Sequence, residues 1–142
     1  MATVYRWWAA ILSLAVVVQI GFAGYGAFNA AEKVEDNDSI SKKAYEDGWD
    51  PHTGFGYIVF LGGVLLFLIA LVRRPGRRGV LWALAVPLLL ILQIVLAWIG
   101  ESVGQLGFLH PINAFIVLGV LGSLTGRLWR GRAGAAPAAT AP

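Results

Sequence analysis

The chain has 142 residues, of which 58% are hydrophobic and 13% charged, and its mean hydropathy is +0.70. This composition lies outside the range of ordinary soluble domains and indicates a single membrane domain. Cysteine is absent, which excludes disulfides, thiolate metal sites and cysteine nucleophiles. The net charge of +3 is small and is explained by membrane topology, so it gives no argument for nucleic-acid binding.

Four apolar stretches predict four membrane helices, at about 7–30, 53–72, 79–100 and 110–129. At 1.5 Å per residue each covers the roughly 30 Å of a bilayer's hydrocarbon core. None shows the alternation of barrel strands. The sequence therefore predicts an all-α, four-helix transmembrane bundle over residues 1–130, followed by a flexible tail at 131–142. The first stretch is long for a signal peptide, and we interpret it as a retained helix.

Two glutamines lie deep in odd-numbered helices, Gln19 in the first and Gln93 in the third. An unpaired amide is costly in lipid, so each is expected to bond a neighbouring helix, with contact to a quinone or cofactor as the alternative. The polar segment from Glu32 to Asp50 is predicted to be a solvated loop. Within it, a short surface helix capped by Asp38 or Ser39 is expected.

The only two histidines are His52 and His110, each predicted at the start of an even-numbered helix and next to a proline. One histidine in such a position is usually an interfacial residue, but two equivalent ones favour a shared ligand. Imidazole suits zinc, copper, nickel and iron. Haem iron needs only two axial ligands. A zinc site needs three or four protein ligands, and the candidates are Asp50, Glu101 and Glu46.

Two further residues are candidate cofactor contacts. Asn113, one turn after His110, is expected either to cap the fourth helix or to orient the His110 ring. Trp98 is expected in an interfacial aromatic belt, with stacking on a porphyrin as the alternative. No catalytic set is found. The candidate cofactor-binding residues are His52, His110, Asn113, Gln19, Gln93 and Trp98, and the candidate metal ligands are His52 and His110.

Charged residues are segregated along the chain. The arginines precede the first helix, join the second to the third, and follow the fourth, whereas all acidic residues lie in the other two loops. By the positive-inside rule both termini are predicted to be cytoplasmic. The segments VVVQIGFAGYG and LILQIVLAWIG, in the first and third helices, share their Gln-Ile pair, an alanine and a glycine. This repeat predicts two helical hairpins in tandem.

A glutamine in each odd-numbered helix and a histidine opening each even-numbered one, with His110 following His52 by 58 residues, resemble one four-helix half of the haem A synthase family. The resemblance covers about Trp7 to Trp129 and implies that His52 and His110 bind haem between them. Trp49 and Thr53 stand where that family has an acidic residue and an arginine. This difference argues against the synthase reaction.

The segment LHPINA, from Leu109 to Ala114, is also similar to the last helix of small, uncharacterised four-helix bacterial membrane proteins. We therefore expect a multi-pass protein of the bacterial inner membrane that holds haem b near the extracytoplasmic face and serves as a small electron-transfer subunit. Lys42 and Lys43 are candidate partners for the haem propionates. The expected partners are the lipid bilayer and either a larger membrane redox complex or a second copy of the chain.

Two other functions are compatible with the same sequence. One is a cofactor-free accessory or scaffolding subunit of a larger membrane complex, because apolar helices with small-residue seams pack well in lipid. The other is a haem-handling protein similar to haem A synthase. An autonomous enzyme is not expected, since the chain lacks a phosphate-binding loop, a metalloprotease helix and a hydrolase triad.

Overall fold

The computed structural model describes residues 2–37 and 39–133, and it is all-α. The four long helices are α1, Ala2–Asn37; α2, Lys42–Arg73; α3, Arg77–Ser102; and α4, Leu109–Ala133. A 3₁₀ helix, Gly104–Phe108, joins α3 to α4. All four helices are long and apolar enough to cross a membrane, as predicted. Residues 131–133 of the predicted tail continue α4, and the rest of the tail, 134–142, lies outside the described residues.

The helices form a closed bundle in which α1 and α3 each pack against both α2 and α4. The pairs α1/α3 and α2/α4 are therefore diagonal. Buried side chains recur every three or four residues, which places one stripe of each helix in the core. The fully enclosed side chains include Tyr5, Ala9, Leu66, Ala70, Ala83, Val86 and Leu121.

Large apolar side chains also cover the outer faces of the helices. Phe28 is 80% exposed and Val72 is 70% exposed, and many leucines, isoleucines and valines are similarly open. Soluble monomers rarely expose apolar patches of this extent. Helices that are apolar on every face are typical of proteins whose surroundings are lipid.

The segment from Glu32 to Asp50 differs from its prediction as a loop. α1 continues to Asn37, and α2 begins at Lys42, where the Ser41 side chain accepts a hydrogen bond of 3.2 Å from the Ala44 N–H. The predicted surface helix is thus the first part of α2, and its cap is Ser41 and not Ser39; Asp38 lies outside the described residues. The loop was predicted because its residues are polar, but polar residues also suit the ends of helices that are longer than a membrane is thick.

This longer α2 changes the position of the first histidine. His52 lies ten residues after the first residue of α2, with Pro51 inside the helix, whereas His110 is the second residue of α4. The prediction that both even-numbered helices open at a histidine is therefore wrong for α2 and correct for α4. The two rings nevertheless lie at the same level of the bundle, because the 3₁₀ helix ends and α4 begins at the level of His52.

Candidate functional site

The two histidine rings meet across the α2/α4 diagonal of the bundle. The centroids of the His52 and His110 rings are 6.0 Å apart, and the ring planes are inclined at 62°. Both residues are partly buried. Two residues 58 positions apart in sequence thus share one location, as the sequence predicted for a common ligand.

Each histidine is bonded to a glutamine on the adjacent odd-numbered helix through two reciprocal contacts. The His52 Nδ1 atom is 3.1 Å from the Gln19 backbone carbonyl oxygen, and the Gln19 Nε2 atom donates to the His52 carbonyl at 2.6 Å. The same contacts join His110 to Gln93, at 3.0 Å and 2.9 Å. A carbonyl oxygen only accepts, so Nδ1 carries the hydrogen in both rings. Each Nε2 then keeps its lone pair for a ligand.

Asn113 acts on Gln93 and neither caps α4 nor touches the His110 ring. Its Nδ2 atom donates to the Gln93 Oε1 atom at 2.6 Å and to the Leu89 carbonyl at 2.9 Å. Asn113 is 3% exposed, so these bonds lie in the interior. The predicted cap is therefore not among these bonds, whereas the predicted orienting of the His110 ring can act only indirectly. Its effect on the histidine passes through the glutamine that holds the ring.

The glutamine beside His52 lacks an equivalent support. Phe55, three residues after His52, stands where Asn113 follows His110, and its ring packs edge-on against Phe22 at 5.4 Å. The Gln19 Oε1 atom is consequently buried without a hydrogen-bond partner among the described residues. An unpaired buried acceptor is costly, so the side-chain oxygen of Gln19 is a group that a hydrogen-bond donor on a ligand can satisfy.

Asn113→Leu is expected to lower the free energy of unfolding by about 1–2 kcal/mol, because it leaves the Gln93 Oε1 atom unpaired inside the bundle. Thr125→Val on the same helix is the matched control. The Thr125 hydroxyl is buried without a described partner, so its removal should be neutral or stabilising. Thermal unfolding in detergent measures both. Equal stability of the two variants would contradict the role given to Asn113.

Trp49 is a neighbour of the site that was not among the predicted cofactor contacts. Its ring contacts the His52 ring edge-on, with centroids 5.7 Å apart. A Cβ atom added to Gly26 would lie 2.8 Å from the Trp49 ring, so only glycine admits the indole at this position. The signal in the sequence was the interval of three residues between Trp49 and His52, which places both on one helix face.

Other predicted residues lie further from the histidines. Trp98 is 60% exposed at the edge of a cleft beside them. Lys42 and Lys43 are exposed in the first turn of α2 and pair with Glu46 and Asp47, at 3.5 Å and 3.0 Å. They precede His52 by nine or ten residues, about 14 Å of helix, and their role as propionate partners stays a prediction.

Two clefts flank the histidine pair on opposite sides of the bundle, and both are lined by Gln19, His52, Gln93 and His110. The cleft between α1 and α4 has a volume of about 120 Å³, and the cleft between α2 and α3 has a volume of about 140 Å³. Their remaining walls are mostly apolar. The apolar side chains include Val16, Ile20, Val59, Leu90, Ile94, Ala97 and Phe115.

Carboxylates do not complete a metal site with the histidines. Among residues 2–37 and 39–133, no three histidine, aspartate or glutamate side chains come together. Glu101 lines the α2/α3 cleft with both histidines, but it does not join them in such a group. Asp50 and Glu46, the other predicted ligands, are also outside any such group. The arrangement thus supplies two nitrogen donors and no third protein ligand from the described chain.

Residues 19–101 match a protein family described as a family of unknown function, DUF6220. No curated protein and no solved structure matches the chain, and no similarity to haem A synthase is found. The matched range includes Gln19, His52 and Gln93 and ends before His110 and Asn113. It covers more than half of the 142 residues. The chain therefore belongs to the DUF6220 family.

Proposed function

We propose that the protein binds one b-type haem between His52 and His110 and passes electrons as a small membrane subunit. The observation that carries this proposal is the pair of adjacent imidazoles, 6.0 Å apart between centroids, each with Nδ1 bonded to a backbone carbonyl. Such a bond on the far nitrogen is the usual way in which proteins orient a metal-binding histidine and raise its basicity.

The separation of the rings agrees with ligation of one metal atom from two sides. A bond from a metal to an imidazole nitrogen measures about 2.0–2.1 Å, and the ring centre lies about 1.1 Å behind the nitrogen. Two such ligands in line therefore hold their centroids about 6.2–6.4 Å apart. The distance of 6.0 Å between the His52 and His110 rings is close to this value.

Haem is favoured over a bare metal ion by the number of ligands. A structural zinc site uses four protein ligands and a catalytic one uses three, whereas haem iron takes its remaining ligands from the macrocycle. The described site supplies two imidazoles. The apolar walls of both clefts suit the faces of a porphyrin, and the interior of a four-helix bundle is a common cofactor site.

The space beside the histidines is open on both sides, as a macrocycle held between them requires. Each cleft alone, at about 120 Å³ and 140 Å³, is smaller than a porphyrin, so binding requires the helices to move apart at this level. With both axial positions taken by histidine, the iron would have no open position for a substrate, and electron transfer is the chemistry that remains.

The proposal includes a tandem repeat of two helical hairpins. Ala9, Leu12 and Val16 of α1 are buried, and so are Ala83, Val86 and Leu90 of α3, each 74 positions later. The same interval separates the two site glutamines. In α2 and α4, buried residues recur at the interval of 58 that separates the histidines, as in Val59 and Val117 and in Leu66 and Leu124. An approximate two-fold axis along the bundle accounts for both series.

The sidedness follows from the arginines. Arg73, Arg78 and Arg127 gather at one end of the bundle, which by the positive-inside rule is the cytoplasmic end, with both termini. Gln19, at the level of His52, lies 13 residues from Arg6, or about 20 Å along α1. The haem would then lie in the extracytoplasmic half of the hydrocarbon layer. The proposed location is a bacterial inner membrane, with the bilayer and a larger redox complex or a second copy as partners.

The test is the absorption spectrum of the full chain, purified in detergent from cells supplied with haem precursor. A protein that carries haem in a near 1:1 ratio, with the six-coordinate low-spin spectrum of bis-imidazole iron in both oxidation states, supports the proposal. A colourless protein that also fails to bind added haem contradicts it. Haem bound with a five-coordinate spectrum contradicts the ligand assignment alone.

The competing function is a cofactor-free accessory subunit, and one observation favours it. Two reciprocal hydrogen bonds in each histidine–glutamine pair already join neighbouring helices, which serves a plain structural purpose in lipid. Such a subunit would be colourless and would co-purify at fixed stoichiometry with a larger complex. A haem-handling function similar to that of haem A synthase would instead require that expression of the protein changes the type of haem in the membrane.

A further inference from the structure

Another cavity lies at the opposite end of the bundle from the histidines and their two clefts. Its volume is about 310 Å³, and it is bounded by the start of α1, the turn between α2 and α3, and the last part of α4. Three arginines line it, Arg73, Arg78 and Arg127, together with Tyr5 and Trp82. Two leucines of α4, Leu124 and Leu128, form an apolar side of the same cavity.

Two polar atoms in the wall of this cavity lack partners among the described residues. Tyr5 is 0% exposed, and its hydroxyl group makes no hydrogen bond. The Arg73 Nη1 atom is likewise buried and unbonded, and the Arg73 guanidinium lies 5.1 Å from the centre of the Tyr5 ring. Both groups can donate a hydrogen bond. Buried unpaired donors beside one cavity indicate a ligand that accepts hydrogen bonds.

The charge at this end is also uncompensated. Among residues 2–37 and 39–133, Arg73, Arg78 and Arg127 have no carboxylate partner. Arg127 is held over the Trp82 ring at 4.7 Å, which sets the direction of its guanidinium. Positive groups gathered around a partly enclosed space favour an anion there.

The first turn of α3 adds to this preference. The turn before it places Arg74 and Gly76 at positive φ, 52° and 83°, and Gly76 caps the helix without a side-chain bond. The first helical bond is donated by Val80 to Gly76, so the preceding N–H groups have no partner within the helix. One of these N–H groups belongs to Gly79, which lines the cavity. Helix N-termini attract anions through such free N–H groups.

We propose that this cavity binds a phosphate group, carried either by an anionic lipid or by a soluble phosphate. Arginine forks and a helix N-terminus both match a phosphate with several acceptor oxygens. The cavity joins cationic groups to an apolar wall that includes Leu124 and Leu128, and a phospholipid likewise joins a charged head group to apolar chains. Basic pockets between transmembrane helices bind such head groups in other proteins.

The experiment measures thermal unfolding of the full chain in an uncharged detergent during titration with three probes. These are dioleoylphosphatidylglycerol, dioleoylphosphatidylcholine with the same acyl chains, and inorganic phosphate. A ligand that binds only the folded state stabilises it by RT ln(1 + [L]/Kd), so the rise of Tm with ligand concentration yields an apparent Kd. We expect phosphatidylglycerol to raise Tm far more than phosphatidylcholine.

Three variants locate the binding. Arg127→Gln and Tyr5→Phe should each weaken the affinity for phosphatidylglycerol by about tenfold, because each loses a hydrogen bond to an ionised oxygen. Tyr5→Phe keeps the buried ring and should fold normally. Arg77→Gln is the control, since Arg77 carries the same charge at the same end but does not line the cavity. It should change the affinity much less.

The outcomes separate the sources of the phosphate. If inorganic phosphate raises Tm as much as phosphatidylglycerol and shows the same dependence on Tyr5 and Arg127, the ligand is a soluble phosphate and the site stands. If phosphatidylglycerol alone shows that dependence, the ligand is a lipid. If the two lipids act equally, if no probe raises Tm, or if Arg77→Gln weakens binding as much as Arg127→Gln, the proposal is wrong.

Discussion

His52→Ala and His110→Ala are each expected to abolish the six-coordinate low-spin spectrum of the haem-loaded protein. Each removes one of the two imidazoles that would hold the haem, and within residues 2–37 and 39–133 no third histidine or acidic side chain groups with the pair to replace it. The measurement is the absorption spectrum in both oxidation states, with the ratio of haem to protein. The six-coordinate low-spin spectrum should be lost completely, although some haem can remain bound in five-coordinate form to the other histidine.

Two controls accompany the histidine variants. Trp98→Phe changes a 60% exposed side chain at the edge of the same α2/α3 cleft, and the low-spin spectrum should persist. Free imidazole added to His110→Ala should restore that spectrum, since it supplies the missing ligand without repairing the chain. If either alanine variant keeps the wild-type spectrum, the assignment of that histidine as a haem ligand is wrong.

Gly100→Ala is expected to lower the free energy of unfolding by about 1–3 kcal/mol. A Cβ atom on Gly100 would lie 2.8 Å from the Cα atom of Gly107, so α3 and the 3₁₀ helix would have to separate. Backbone cannot yield as a flexible side chain does. Because the 3₁₀ helix delivers His110 to the site, the same variant should also weaken haem binding under the proposed function.

Gly24→Ala is the matched control for this substitution. A Cβ atom on Gly24 would meet nothing within 4 Å, so the change should be neutral or stabilise α1 by up to about 1 kcal/mol. Thermal and denaturant unfolding in detergent compare the two variants. If Gly100→Ala proves as stable as Gly24→Ala, the close approach of Gly100 to Gly107 does not hold in the protein.

The two halves of the histidine site are similar but not equivalent. Beside His110, the amide of Gln93 is bonded at both ends, by the His110 carbonyl and by Asn113. Beside His52, the Gln19 Oε1 atom has no partner, and Trp49 packs on the ring instead. We infer that the His110 half is the more firmly held. Any adjustment on ligand binding should therefore occur mainly around His52.

Much of the fold was predictable because it depends on composition and length. A run of about twenty apolar residues predicts a membrane helix from its length and composition alone, without knowledge of any contact. The prediction failed at 32–50, where polarity was taken to mean a loop. Polar residues form helix as readily as apolar ones once the helix leaves the lipid, and the N-cap at Ser41 is a local hydrogen bond that only coordinates distinguish from the alternative at Ser39.

The candidate site divides in the same way. The amino-acid sequence by itself determined which residue types were scarce enough to matter: two histidines, two glutamines deep in apolar helices, and arginines restricted to one end. The tertiary structure decided which of them meet. Three contacts depend on helix rotation and register: the His52 and His110 rings lie 6.0 Å apart, Asn113 bonds Gln93, and Tyr5 shares a cavity with three arginines. Helix rotation and register are set by packing between helices that are remote in sequence. Local sequence patterns carry no information about this packing.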